Sequence, residues 1–264
     1  MRRRPRKMGA VPAHAWMPDV ADAAPAPVAA FVTAAPKVGA LLALGRLSLT
    51  LPETAVDWRL LVAGLAAATM TLGNLAALWQ ENVRRLLGWS AVSQTGYGLM
   101  AVVALDRSDL AIASLLYFLL AYALANLTAF GVVIELRGRT ALDSYAGLAR
   151  VHPFLAVSLV LSFLSFVGIP PLAGFTAKLT LFTAAIDAGY AWLAIVAAVN
   201  TVVSLAYYAR VLGPSYFEAP AGPMPLLSRR AAVATFACAA GLLGVGIGAD
   251  PVLRAFHSAR LLPG

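Results

Sequence analysis

The sequence predicts an all-α, polytopic membrane helix bundle with about seven transmembrane spans, and three observations carry that prediction. Of the 264 residues, 61% are hydrophobic and only 12% charged, with a mean hydropathy of +0.80, whereas a soluble chain carries about 25% charge. The apolar residues gather in runs near the roughly 20 residues that a helix needs to cross a bilayer core. The arginines stand at the ends of those runs, as topology signals do.

The same observations exclude other classes. The ten-residue alternation of a membrane β-barrel is absent. The net charge of +8 does not indicate nucleic-acid binding, because no basic patch is interleaved with aromatics. The single cysteine, Cys238, lies in an apolar run and leaves no disulfide or cysteine-based metal site within one chain.

The chain divides into a basic arm with the remnant of a broken helix (1–25), a transmembrane domain (26–248) and a C-terminal tail (249–264). The arm opens Met1-Arg2-Arg3-Arg4-Pro5-Arg6-Lys7, but no apolar core of a signal peptide follows it. Pro12, Pro18, Pro25 and Pro27 punctuate the approach to the first whole span, Pro27 to Arg46. The next three spans run from Trp58 to Trp79, Leu86 to Leu105 and Leu110 to Glu135. The fifth, within His152 to Ile186, is too long to be one straight crossing. Its roughly 35 residues would make a helix of about 52 Å, against a bilayer core of about 30 Å. Gly168-Ile169-Pro170-Pro171 and Gly174 interrupt it, since proline removes a donor and clashes with the preceding turn. The sixth span runs from Tyr190 to Leu212, and a Pro/Gly-rich loop, Ala219 to Pro225, leads to the seventh, Ala231 to Ile247.

Arg84, Arg85, Arg137, Arg139, Arg150, Arg229 and Arg230 fall in the loops after spans two, four and six. The other loops hold little beyond Arg59 and Arg107. The positive-inside rule then puts the N-terminus in the cytoplasm and the C-terminus outside.

Two charges are left inside spans. Lys37 lies about ten residues into the first span, where a charge costs from about 2.5 kcal/mol upward. Lys178 follows the broken segment. Broken backbone survives at membrane depth only where protein or a wet cavity surrounds it, and an intramembrane lysine can release a proton and take it back as its surroundings change. Together they point to a proton or ion path, against the bland alternative of snorkelling to the interface. His14, beside Pro12, is either a proton carrier near neutral pH or an interfacial histidine next to Trp16. Lys7, in a run of arginines, reads by itself as a topology charge. Ser90, Ser93, Gln94, Thr95 and Tyr97 in span three either join helices or hold water, and Asn74, Asn126, Thr128 and Asn200 pose the same choice. No aspartate or glutamate lies in a span interior. Phosphate-binding glycine loops, metal-ligand spacings and nucleophile elbows are all missing.

Three stretches carry a resemblance. They are Val11-Pro12-Ala13-His14-Ala15-Trp16-Met17-Pro18 with Ala35-Pro36-Lys37, then Gly73-Asn74-Leu75-Ala76-Ala77-Leu78 with Asn82-Val83-Arg84-Arg85-Leu86-Leu87-Gly88-Trp89-Ser90, and Gly168-Ile169-Pro170-Pro171 through Gly174 to Lys178. Their order and content resemble the antiporter-like membrane subunits of respiratory complex I. Having a lysine in span one, rather than a histidine, is most similar to the subunit N type of bacterial NADH–quinone oxidoreductase. The likeness runs from about Lys7 to about Pro220.

The resemblance implies that Lys37 and Lys178 belong to a central proton axis, that Lys7 takes the place of the lysine of a first broken helix, and that His14 is that helix's motif histidine. It implies a proton-translocating subunit of an inner-membrane complex that couples NADH-to-quinone electron transfer to pumping. The chain itself would bind no cofactor or metal, NADH and quinone being used elsewhere in the complex. Its partners would be other complex I membrane subunits and the bilayer. The family has further spans upstream, including an acidic partner for the first lysine, and an apolar half-helix where this chain has Met1 to Arg6. A truncated or frameshifted reading frame, a misplaced start or a split gene is therefore expected. Two other readings stay open: a subunit of a related cation/proton antiporter or membrane-bound hydrogenase, and a membrane fragment that translocates nothing.

Overall fold

A computed structural model describes residues 9–50, 57–220, 222–259 and 261. Helices and their connections account for them, the lone β-type pairing being a bridge between Asn82 and Ala141. The helices are α1 (Trp16–Ala23), α2 (Ala26–Ser48), α3 (Trp58–Leu78), α4 (Val83–Ala104), α5 (Ala111–Glu135), α6 (Leu148–Val151), α7 (Pro153–Val167), α8 (Ala173–Asp187), α9 (Ala191–Phe217), α10 (Arg229–Ile247) and α11 (Ala249–His257), with a 3₁₀ turn at Asp143–Tyr145.

Local chemistry sets the ends. Asn82 accepts from the amides of Arg84 and Arg85 to start α4, and Asp57 accepts from Leu60 to start α3, which satisfies donors that a helix N-terminus leaves bare. Pro153 starts α7, where its fixed φ suits a first turn, and Gly168 ends it in the left-handed region at φ 91°, which glycine adopts without penalty.

Five helices, α2, α3, α5, α9 and α10, are long and apolar enough to cross a membrane. The other two expected spans are present but differ in kind. Helix α4 has the length, 22 residues, yet its middle is polar and nearly every side chain in it is buried. A helix wrapped by protein need not be apolar, because it never meets lipid. Helices α7 and α8 have 15 residues each, about 22 Å at 1.5 Å per residue. Each is too short alone, and together they form the broken span.

Three details sharpen the expectations. Gly174 is not part of the interruption, which covers 168–172; it lies inside α8, where a Cβ would overlap the Ser165 carbonyl. It serves to bring the two half-helices together. Within the expected tail, the described residues include a helix, α11, which packs Val252, Leu253 and Phe256 against the core. The segment before α7 holds α6, which turns by 120° into α7 at His152–Pro153; a residue before proline avoids the helical region.

Helix α4 is the hub, packed on α1, α2, α3, α5, α8 and α9. Its closest neighbour is α3, because Gly73 faces the Ser93 backbone and Gly96 faces Ala66 and Met70. The outward faces are apolar, as on α9, where Trp192, Ile195, Val199, Val202 and Leu205 are exposed at helical spacing. Arg59, expected in a loop, sits in the first turn of α3, buried, and donates to the carbonyls of Val103 and Leu105 at the C-terminal end of α4.

Candidate functional site

The centre of the bundle holds two buried lysines. Lys37, on α2, is 0% exposed, and Lys178, on α8, is 5% exposed. Among the described residues neither meets a carboxylate; the ion pairs there join Arg85 to Asp19 and Asp22, and Arg254 to Asp250. Each ammonium rests instead on a backbone carbonyl and an aromatic face.

Lys37 Nζ donates to the Ala91 carbonyl of α4 at 2.6 Å and lies 3.8 Å above the Tyr122 ring of α5. The ring is held from below. Tyr122 donates its hydroxyl to the carbonyl of Thr33, one turn before Lys37, at 2.9 Å, and Asn126 donates to the Ala30 carbonyl and the Thr33 hydroxyl. Thr95 donates to the same Ala91 carbonyl, so that oxygen is shared between the lysine and α4.

The Lys178 site follows from the two prolines. In a continuous helix the carbonyls of Phe166 and Val167 would accept from residues 170 and 171. Both are prolines and have no N–H. The first carbonyl is taken by Gln94 Nε2 at 3.2 Å, and the second by Lys178 Nζ at 3.1 Å. Lys178 Nζ also donates to Thr201 Oγ1 at 3.0 Å and lies 4.1 Å over the Tyr97 ring. A cation over an aromatic face gains about 0.5–2 kcal/mol, more when desolvated. Gly168 makes room for the lysine stem, since a Cβ there would stand 3.0 Å from Lys178 Cδ.

A cavity of about 10 Å³ lies between these sites, lined among others by Gln94, Tyr122, Ser165, Phe166 and Lys178. That is about the volume of one water, but the surface that opens into it is apolar, so it is a dry gap beside Lys178. Tyr122 belongs both to this cavity and to the seat of Lys37, so the two lysines share a wall. Gln94 and Thr95 are neighbours on α4, one serving the Lys178 break and the other the Lys37 carbonyl. The polar cluster of α4 thus joins helices, and its Gln94 edges the cavity.

The other expected site residues are not brought to this centre. His14 packs on Trp89, ring centroids 5.6 Å apart, with Nδ1 buried and no partner among the described residues; it makes no contact there with either lysine. Lys7 lies outside the described residues. Among those residues no group of three His, Cys, Asp or Glu could hold a metal. The sequence reading missed Tyr122, Thr201 and the two freed carbonyls. The carbonyls had a signal, a pair of prolines each removing the donor four residues ahead; the two side chains had none.

Comparison with known proteins bears on this arrangement. A family described as NADH:quinone oxidoreductase/Mrp antiporter, transmembrane, matches residues 6–204. The NADH-quinone oxidoreductase subunit N of Mycobacterium sp. (strain JLS) is 49% identical over 248 residues, covering 92% of this chain and 52% of that protein. The subunit N 1 of Streptomyces griseus is likewise 49% identical, over 92% of this chain and 52% of its own length. The chain therefore spans about half the length of the curated relatives it matches. Among solved structures, a chain of respiratory complex I from Thermus thermophilus superposes with a TM-score of 0.83 and 32% identity, over 95% of this chain and 56% of that one. A chain of the Mrp complex from Dietzia sp. gives 0.85 at 23% identity, over 95% of this chain and 56% of that one, which is a likeness of fold alone.

Proposed function

This chain belongs to the NADH:quinone oxidoreductase/Mrp antiporter transmembrane family, and from that footing we propose that it is a proton-translocating membrane subunit of an NADH–quinone oxidoreductase. It is a multi-pass membrane protein by its apolar helices. In the proposed role Lys37 and Lys178 are loaded and unloaded in turn. The observation that carries this is the state of the two lysines, buried without a carboxylate and seated on carbonyls and rings. An ammonium so placed is held loosely enough that a nearby charge, or a water, decides whether its proton stays.

Electron transfer from NADH to quinone belongs in this reading to partner subunits, and this chain binds no cofactor of its own. Relatives named as subunit N, at 49% identity, favour it over an antiporter subunit, whose structural neighbour is 23% identical. The proposed setting is a bacterial inner membrane, with the N-terminus cytoplasmic, the C-terminus external and other membrane subunits of the complex alongside.

The test replaces Lys178 in the full-length subunit assembled in its complex. Lys178→Met is expected to lower NADH-driven proton uptake by inverted membrane vesicles, and Lys178→Arg to do so as well. Arginine keeps a cation that can donate to Val167 but does not release its proton, so lost pumping with Lys178→Arg separates titration from packing. Unchanged proton uptake in both variants refutes the assignment.

A further inference from the structure

A buried pair of asparagines stands beside the seat of Lys178. Asn74 of α3 is 0% exposed and Asn200 of α9 is 5% exposed. Asn74 Nδ2 donates to the backbone carbonyl of Asn200 at 2.9 Å and to its Oδ1 at 3.0 Å. Asn200 Nδ2 donates in return to Thr71 Oγ1 at 3.1 Å. Thr71 and Asn74 are spaced i, i+3 on α3 and so share a face. Asn200 also donates to the Val196 carbonyl of its own helix. Helix α9 is thus pinned to α3 at one residue, through both its side chain and its backbone.

The carbonyl that Asn74 grips belongs to the peptide bond joining Asn200 to Thr201. Thr201 Oγ1 accepts from Lys178 Nζ at 3.0 Å. Its own hydrogen goes to the Ala197 carbonyl one turn back, at 3.0 Å, which leaves its lone pairs for Lys178 and for the Tyr97 hydroxyl, 3.0 Å away. Neighbouring residues of a helix are about 1.5 Å apart along the axis and about 100° apart around it. Asn200 therefore faces α3 while Thr201 faces α8, and a slide of α9 that frees the first carries the second off the lysine. Of the two acceptors of Lys178 Nζ, Val167 is freed by the proline break, whereas Thr201 depends on where α9 stands. The dry gap on which Lys178 borders offers no replacement, because its surface is apolar. A reacting group misplaced by about 1 Å can lose about 100-fold in rate.

We propose that Asn74 is a positioning residue for the Lys178 site: it anchors α9 at the Asn200 carbonyl, so that Thr201 is held where it accepts from the lysine ammonium. This rests on Lys178 being a proton-loading site. A bond that served only to join α3 to α9 could be made anywhere along them, and this one is made at the peptide that carries the acceptor. Tyr207 supplies the contrast. It also belongs to α9 and donates to Asn74 Oδ1 at 3.0 Å, but from more than a turn beyond Thr201. That bond joins the same two helices without touching the Asn200–Thr201 peptide.

The experiment uses the full-length subunit in its complex. It reads protons taken up per NADH oxidised in inverted vesicles, beside the amount of assembled complex. Asn74→Leu fills the space of the amide and Asn74→Ala empties it, and neither can donate to Asn200. Both are expected to lose most of the pumping that Lys178→Met loses, with electron transfer retained, and so is Thr201→Val, which keeps the shape of threonine without its hydroxyl. Thr201→Ser is expected to pump normally, and so is Tyr207→Phe, although it too removes an α3–α9 hydrogen bond. Normal pumping with Thr201→Val, or with either Asn74 variant, overturns the proposal. So does a loss with Tyr207→Phe equal to that of the Asn74 variants, since that makes Asn74 a helix joint alone. A loss with Thr201→Ser equal to that of Thr201→Val overturns it as well, by making position 201 a matter of packing. Normal proton uptake with Lys178→Met defeats the proton-loading reading itself, whereas a loss there with normal pumping in the Asn74 and Thr201 variants defeats this inference alone.

Discussion

Neither Pro170 nor Pro171 has an N–H for the residue four positions earlier, and that lack, rather than any side chain they carry, builds the Lys178 site. Water would claim a bare carbonyl at the surface. At this depth the Phe166 and Val167 carbonyls must find donors inside the protein, and Gln94 and Lys178 are the donors. Gly168 completes the arrangement through its φ of 91° and its missing Cβ. An L-residue in the left-handed region costs about 1–2 kcal/mol, and at 168 its Cβ would also press on the Lys178 stem. Gly168→Ala is therefore expected to lower proton uptake more than it lowers the amount of assembled complex. Quantifying both in one membrane preparation checks this, and a proportional fall in the two would leave the lysine's position undisturbed.

At the scale of elements, α4 decides how the bundle closes. A helix with Ser90, Ser93, Gln94, Thr95 and Tyr97 along it cannot face lipid cheaply, and five other helices besides α3 shield it. Its approach to α3 depends on glycine. A Cβ at Gly73 would stand 2.5 Å from the Ser93 amide nitrogen, a backbone atom that no rotamer change can move. Gly73→Val is expected to destabilise the protein by at least the ~1–3 kcal/mol of an overpacked core. Gly64, on the same helix, has nothing within 4 Å of where its Cβ would be, so Gly64→Val is expected to fall within about 0.5 kcal/mol. Thermal unfolding of the two variants in detergent distinguishes them, and equal losses would argue against close packing at Gly73. The positions of the spans were legible in the sequence because length and apolarity alone define a crossing, and Lys37 and Lys178 stood out for the same reason. Less was legible where tertiary contact decides. The Gly174 position shows this: by composition it belongs with the breakers at 168–171, but the fold uses it for a close approach of α8 to Ser165. The seats of the lysines, Tyr122 and Tyr97, are aromatic residues in apolar helices, indistinguishable in a sequence from ordinary packing.

At the scale of the whole molecule, the loops that carry most of the arginines meet at one end. Val83 donates to the Thr140 carbonyl, Arg139 to that of Pro223, and the Ser228 amide to Glu135, while Arg84 donates to the carbonyls of Ala21 and Ala24. The loops after α3, α5 and α9 and the start of α2 are thereby tied into one surface. At the opposite end Gly45 of α2 meets Leu105, Leu115 and Leu261. The basic loops stand after every second crossing, with α4 and the broken α7–α8 pair each counted as one, so they fall on the same surface. The basic surface is the one that the positive-inside rule places in the cytoplasm. That orientation can be tested in the full-length subunit with Cys238 replaced by serine and one new cysteine at either exposed site, Ala191 at the start of α9 or Ala219 after its end. A thiol reagent that cannot cross the membrane is expected to label the Ala191→Cys variant in cells whose outer layers admit it, and the Ala219→Cys variant only once the inner membrane is opened. The reverse pattern would invert the molecule and overturn the reading of the basic surface as the cytoplasmic one.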